Sequence, residues 1–160
     1  MKFRSFTAAI FAAIIIMGSG LTASAQKGEK SLGVKGGYAS YNDGGYASLY
    51  FNYGLADHVR LAPSIGYVFR NEGKSAFTLD VDVQFPFRIV KALNVYPLVG
   101  FTFNNWNYTH HDDRSRAGAN FGAGFDIYLT SNLKMNLEGK YSVMNDTSGA
   151  FFGMGISYLF

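Results

Sequence analysis

One run of the chain concentrates the side chains that could do chemistry: Trp106-Asn107-Tyr108-Thr109-His110-His111-Asp112-Asp113-Arg114-Ser115-Arg116. It holds the imidazole, carboxylate, hydroxyl and guanidinium groups that a metal site or an acid–base enzyme uses. The spacing argues against both. Adjacent histidines in extended chain point to opposite sides, so His110 and His111 make a poor bidentate pair. The third histidine, His58, stands alone in a tight turn. A catalytic constellation draws on several rigid elements, whereas these candidates share one loop. Residues 104–117 are therefore expected to form a solvated surface loop, with Trp106, Tyr108, His110, His111, Asp112, Asp113 and Arg114 as a candidate contact surface. No catalytic residue, metal or cofactor is expected.

A second group of charges is spread along the chain at even spacing from small residues: Lys35, Arg60, Arg70, Asp80, Asp82, Asp126, Lys134, Glu138 and Lys140. Five are basic and four acidic, so the set nearly cancels. Charges that share one side of a set of strands and nearly cancel fit a closed interior crossed by ion pairs, because an unpaired buried charge is costly.

The elements that would position them are strands. From residue 30 onward the sequence alternates with a period of two, interrupted by turn residues. Segments are expected near 30–40, 46–55, 59–70, 77–88, 93–103, 119–129, 133–143 and 151–160. Along each, one face is large and apolar and the other small or polar. In the last segment, Phe152, Met154, Ile156, Tyr158 and Phe160 oppose Gly153, Gly155 and Ser157. Turn signals such as Asn42-Asp43-Gly44-Gly45 and Asn71-Glu72-Gly73-Lys74 separate the segments. Leu55–Tyr67 repeats as Ile89–Phe101 and, more weakly, from Leu129 to Tyr141. Each copy is a short turn followed by a strand, which puts all three turns on one side of a meander.

Two all-β architectures compete, a soluble barrel with its apolar face inward and a membrane barrel with that face outward. The glycines on the polar face favour the second. An eight-stranded barrel is so narrow that side chains fill it, and Gly or Ser must alternate with longer residues. On the outside of a soluble sheet the same glycines would only weaken the strands. Aromatics near the strand ends sit where interfacial girdles would lie. Pro63 and Pro97 each remove a ladder donor, and a local bulge is expected at each.

The N-terminus reads as a secretory signal. Met1-Lys2-Phe3-Arg4 is basic, Phe6 to Met17 is apolar, and Ala23-Ser24-Ala25 offers a cleavage site before Gln26. Removing Lys2 and Arg4 from 14 basic residues leaves 12 against 11 acidic ones, a net charge of +1. The pI of about 9.1 thus overstates the charge of the exported part, and no basic patch for nucleic acid is present. The chain has no Cys, hence no disulfide. The domain plan is a cleaved segment, residues 1–25, and one barrel domain, residues 26–160. The fold class is all-β, an eight-stranded antiparallel up-and-down transmembrane barrel.

With its signal peptide, eight alternating segments, Gly66-Tyr67 and Leu129-Thr-Ser-Asn-Leu133 stretches and terminal Phe160, the chain resembles the small bacterial outer-membrane β-barrel proteins, the OmpX/OmpA-like porin-family group. The resemblance implies location in the bacterial outer membrane and a monomer surrounded by outer-membrane lipid and lipopolysaccharide. It implies biogenesis through periplasmic chaperones and the barrel-assembly machinery, with Ile156, Tyr158 and Phe160 as the C-terminal assembly signal. The peptidoglycan-binding domain of longer OmpA-type proteins is not expected, since the sequence stops with the barrel. A non-enzymatic structural or surface-interaction role is the leading expectation. The alternatives are a narrow channel for ions or small solutes and, third, a lipid A-modifying enzyme.

Overall fold

The computed structural model describes residues 28–110, 112–144 and 147–160. The proposed signal peptide, its cleavage site and His111 lie outside the described residues. The elements are β1 (Lys30–Ala39), β2 (Gly44–Ala56), β3 (Val59–Asn71), β4 (Lys74–Gln84), β5 (Phe87–Val90), β6 (Leu93–Tyr108), β7 (Arg114–Tyr128), β8 (Leu133–Met144) and β9 (Thr147–Leu159). Every pairing is antiparallel and joins sequence neighbours, except that β4 also pairs with β6 and β1 with β9. In that seam Leu32 lies opposite Tyr158, and Val34 opposite Ile156. The sheet is therefore a closed barrel. β4 and β5 both pair with β6 and are two pieces of one barrel strand, so eight strands complete the circuit.

The interruption between β4 and β5 has a local cause. Phe85 N donates to Pro97 O at 3.0 Å, but Pro97 has no N–H to return to Phe85, and Pro86 has none either. Two prolines on facing strands, one register position apart, leave a gap. No bulge forms at Pro63 or Pro97, contrary to expectation: Pro63 stays opposite Val81 and Pro97 opposite Ala123, in unbroken register. The register shifts lie instead at Gly54/Ala56, Val68/Asn71 and Arg88/Val90. Beyond the gap, Phe87 is not an exposed outward residue as its parity implied. It is 6% accessible, with the His58 ring 5.2 Å from its own.

Accessibility is inverted relative to a soluble protein. Val34, Phe101, Phe121, Met154 and Ile156 are among the many large apolar side chains left exposed, while Arg60, Asp82, Asp126, Lys134 and Glu138 are buried. A continuous apolar exterior of this kind fits hydrocarbon rather than water. That excludes the soluble barrel. Both described ends of the chain and the short turns at 57–58, 91–92 and 129–132 lie at one rim. The turns at 40–43 and 72–73 and the strand ends at Tyr108, Arg114, Met144 and Thr147 lie at the other. In outer-membrane barrels the short turns are periplasmic and the longer connections external, which orients the second rim outward. There Glu72 and Gly73, both at positive φ (52° and 75°), make a two-residue turn of the kind whose twist matches the strands it joins.

Candidate functional site

Outside the short β5, the small-faced side of the strands points into the lumen, and the side chains there meet in layers. Nearest the terminal rim, Lys134 is fully buried, with Nζ 3.6 Å from Glu29 Oε1. That separation is an electrostatic contact rather than a hydrogen bond. The Tyr128 ring lies 5.6 Å from the same ammonium, and Tyr128 OH donates to Glu29 Oε1 at 3.2 Å. Beside this group, Arg60 Nη1 donates to Asp126 Oδ2 at 2.7 Å and Arg60 Nε to Gln84 Oε1 at 2.6 Å. The guanidinium lies over the Tyr96 ring, 4.9 Å from its centroid, a cation–π arrangement.

At mid-height Glu138 is the hub. It accepts from Lys35 Nζ at 2.6 Å and from Tyr96 OH at 2.9 Å. Asn136 bridges the barrel, donating to Tyr96 OH at 3.2 Å and accepting from Tyr50 OH at 3.1 Å. One layer up, Lys140 Nζ sits between Asp80 Oδ2 at 2.7 Å and Asp82 Oδ2 at 3.2 Å. Asn120 donates to Asp82 Oδ1 at 2.8 Å and accepts from Ser142 at 2.5 Å. Tyr50 and Tyr96 fit because the position beside each on the adjacent strand is a glycine, Gly33 and Gly124. A Cβ on Gly33 would come within 2.6 Å of the Tyr50 ring, and one on Gly124 would run into Tyr96.

The outer end is apolar. Trp106, Phe151, Val68, Ala39 and Ala76 form a buried cluster, with Tyr41, Tyr46 and Tyr108 packed against it. The Tyr41 ring lies 5.2 Å from both Trp106 and Phe151. Tyr41 belongs to the β1–β2 turn, and its OH donates to Ser142 O at 3.1 Å. Burial pushes this phenol up to about 12, against the smaller lowering effect of that hydrogen bond.

Eight of the nine charges expected in the lumen are there. Arg70 is not. Between Val68/Ala76 and Asn71/Lys74 the pairing slips by one, so Phe69 and Arg70 together oppose Ser75. This bulge re-aims the side chain: Arg70 is exposed at the outer rim, bonded to Ser75, Asn107 and Thr109. A second correction concerns the loop. β6 runs on through Tyr108 and β7 begins at Arg114, so the connection spans residues 109–113 rather than 104–117. Trp106 thus lies opposite Ala76 and Arg114, 2% accessible inside the barrel, and cannot serve as a surface contact. Tyr108 is half-buried, while His110, Asp112, Asp113 and Arg114 are exposed. Among the described residues no three His, Cys, Asp or Glu side chains gather as a metal set.

The lumen also uses uncharged residues that the alternation already puts on the inward face, Tyr50, Gln84, Tyr96, Asn120 and Asn136. Glu29 is the one that escapes it, because it precedes the first strand and has no strand parity. Ile156, Tyr158 and Phe160 all face outward and are exposed, and Phe160 N donates to Lys30 O at 3.0 Å across the seam.

Comparison with solved structures finds the same architecture at low identity. The N-terminal β-barrel domain of Pseudomonas aeruginosa OprF matches with a TM-score of 0.68 and 21% identity, over 86% of this chain and 100% of that one. Ail, the attachment invasion locus protein of Yersinia pestis, matches with a TM-score of 0.64 and 18% identity, over 84% and 100%. Neisserial surface protein A matches with a TM-score of 0.65 and 11% identity, over 82% and 96%. Comparison with curated protein sequences finds no match. The family model for the outer membrane protein beta-barrel domain matches residues 11–160, and with a closed barrel, an apolar exterior and a polar lumen behind that match, the chain belongs to the outer membrane β-barrel protein family.

Proposed function

We propose that the protein is a sealed, non-enzymatic outer-membrane barrel that acts through its outer rim and lipid-facing wall rather than by passing solutes. The observation that supports this reading is the filling of the lumen. Ion pairs and hydrogen bonds join non-adjacent strands through the lumen at three heights, and an aromatic cluster caps the outer end. A permeating ion would have to displace Lys140 from two carboxylates or Arg60 from Asp126, each held at hydrogen-bond distance in a space without room for both. The contact surface left is the 109–113 loop, with exposed His110, Asp112, Asp113 and Arg114, together with the rim around it.

In this reading the barrel is a monomer among outer-membrane lipid and lipopolysaccharide, delivered by periplasmic chaperones and the barrel-assembly machinery. Ile156, Tyr158 and Phe160 form the signal that machinery reads. Proteoliposome swelling tests the sealed state. Vesicles carrying the folded protein should swell in arabinose or glycine no faster than protein-free vesicles, and swelling that scales with protein content would refute it.

A further inference from the structure

We propose that the outer wall beside the β3–β4 turn binds a phosphorylated glycolipid of the outer leaflet, of the lipid A class, with Arg70 holding a phosphate. Three observations converge on it. The bulge in β3 spends an extra residue to turn Arg70 outward, to the side of the barrel where Tyr67, Phe69 and Phe77 are exposed. Its guanidinium is then fixed by neutral acceptors alone: Thr109 Oγ1 at 2.6 Å, Asn107 Oδ1 at 2.7 Å, and Gly73 O and Ser75 Oγ at 3.2 Å. None of the ion pairs among the described residues includes it. A pre-ordered cation without a carboxylate partner, at the level of lipid headgroups, is suited to a phosphate, which guanidinium groups bind strongly.

Below this group the wall is grooved. Phe101 and Phe103 stand opposite Ala119 and Ala117, and with Leu79 and Val81 they line a shallow apolar crevice that fits an acyl chain. Between the guanidinium and the crevice, Asn105 and Ser115 face each other across the ladder, both exposed. Amide and hydroxyl groups beside a single cation suit a phosphorylated sugar better than a phosphoglycerol, and the rim is the external one. The proposal rests on the lipid contact proposed above. Its readout involves no permeation, so its failure would leave the sealed-lumen reading standing.

The test is native mass spectrometry of the detergent-folded barrel titrated with bis-phosphorylated lipid A, dephosphorylated lipid A and phosphatidylglycerol. Wild type should retain one lipid A. Arg70→Gln should weaken retention about tenfold or more, the scale of a lost charge-assisted hydrogen bond. Ala117→Phe, which fills the crevice and leaves Arg70 in place, should weaken it as well, and wild type should hold the dephosphorylated lipid no better than Arg70→Gln does. Heat-modifiable gel mobility identifies the variants that are folded. Retention of lipid A by folded Arg70→Gln at the wild-type level, equal retention of phosphatidylglycerol, or binding indifferent to both substitutions would overturn the proposal.

Discussion

Arg60 Nη1 lies 2.7 Å from Asp126 Oδ2, and both side chains are almost wholly buried, at 2% and 1% accessibility. The pair joins β3 to β7, two strands that are not neighbours in the sheet, and so ties the barrel across its lumen. Removing one partner strands a buried charge. Asp126→Ala should destabilise the folded barrel by about 3–5 kcal/mol, measured by urea unfolding in lipid vesicles. The double variant Arg60→Met/Asp126→Leu should cost far less than the two single losses combined, since neither charge is then left alone. Additive losses would mean that the two residues do not interact.

The fit of Tyr96 against Gly124 gives a packing prediction. A Cβ at Gly124 would occupy the space of that ring, and Tyr96 in turn holds Glu138. Gly124→Val should lower stability by roughly 1–3 kcal/mol as an overpacked site, and Gly124→Val/Tyr96→Ala should recover part of the loss. Stability unchanged in the single variant would show that the lumen has slack there.

Tyr41 supplies a pH signature outside the membrane-spanning strands. Its folded pKa is raised from 10.0 to about 12 by burial. A raised pKa means that the folded state keeps its proton where the unfolded chain loses it. The stabilisation is therefore complete below pH 10 and fades as pH rises through about 12. Wild type should lose more stability than Tyr41→Phe across that interval, as read by unfolding at a series of alkaline pH values. Parallel losses in the two proteins would place the Tyr41 phenol in water.

The C-terminal residue separates assembly from stability. Phe160 is 67% accessible on the outer face, its ring 6.4 Å from that of Phe51. So exposed a side chain adds little to the packing of the finished barrel. Deleting it should slow insertion by purified barrel-assembly machinery several-fold, while the barrel once folded melts within a few degrees of wild type. Insertion at the normal rate would remove the assembly-signal assignment.

Much of this was readable in the sequence because alternation with period two states which face a residue shares, and the contrast of Phe, Val and Leu with Gly, Ser and charge states which face is which. Strand order follows once the turns are short. Parity fails wherever the ladder slips. Arg70 has the parity of a lumen residue, and a single inserted position reverses it. Trp106 sits among polar Asn104, Asn105 and Asn107 in a stretch that reads as a loop, yet in the barrel Asn104 is buried in the lumen while Asn105 and Asn107 are exposed near the outer rim. Polarity alone could not distinguish a loop from a strand rising out of the apolar belt. Pair identities, such as Lys35 with Glu138 rather than Asp82, depend on the stagger of the strands around the barrel, which a single sequence does not encode locally.

In the proposed sealed barrel the lumen is closed by Arg60–Asp126, Lys35–Glu138 and Lys140–Asp80 beneath the Trp106 cluster. Single-channel recording in planar bilayers tests it most directly. Wild type inserted in either orientation should give currents indistinguishable from the bare bilayer, whereas Arg60→Ala/Lys140→Ala/Trp106→Ala should produce discrete openings. Stable unitary conductance steps from the folded wild-type protein would contradict it.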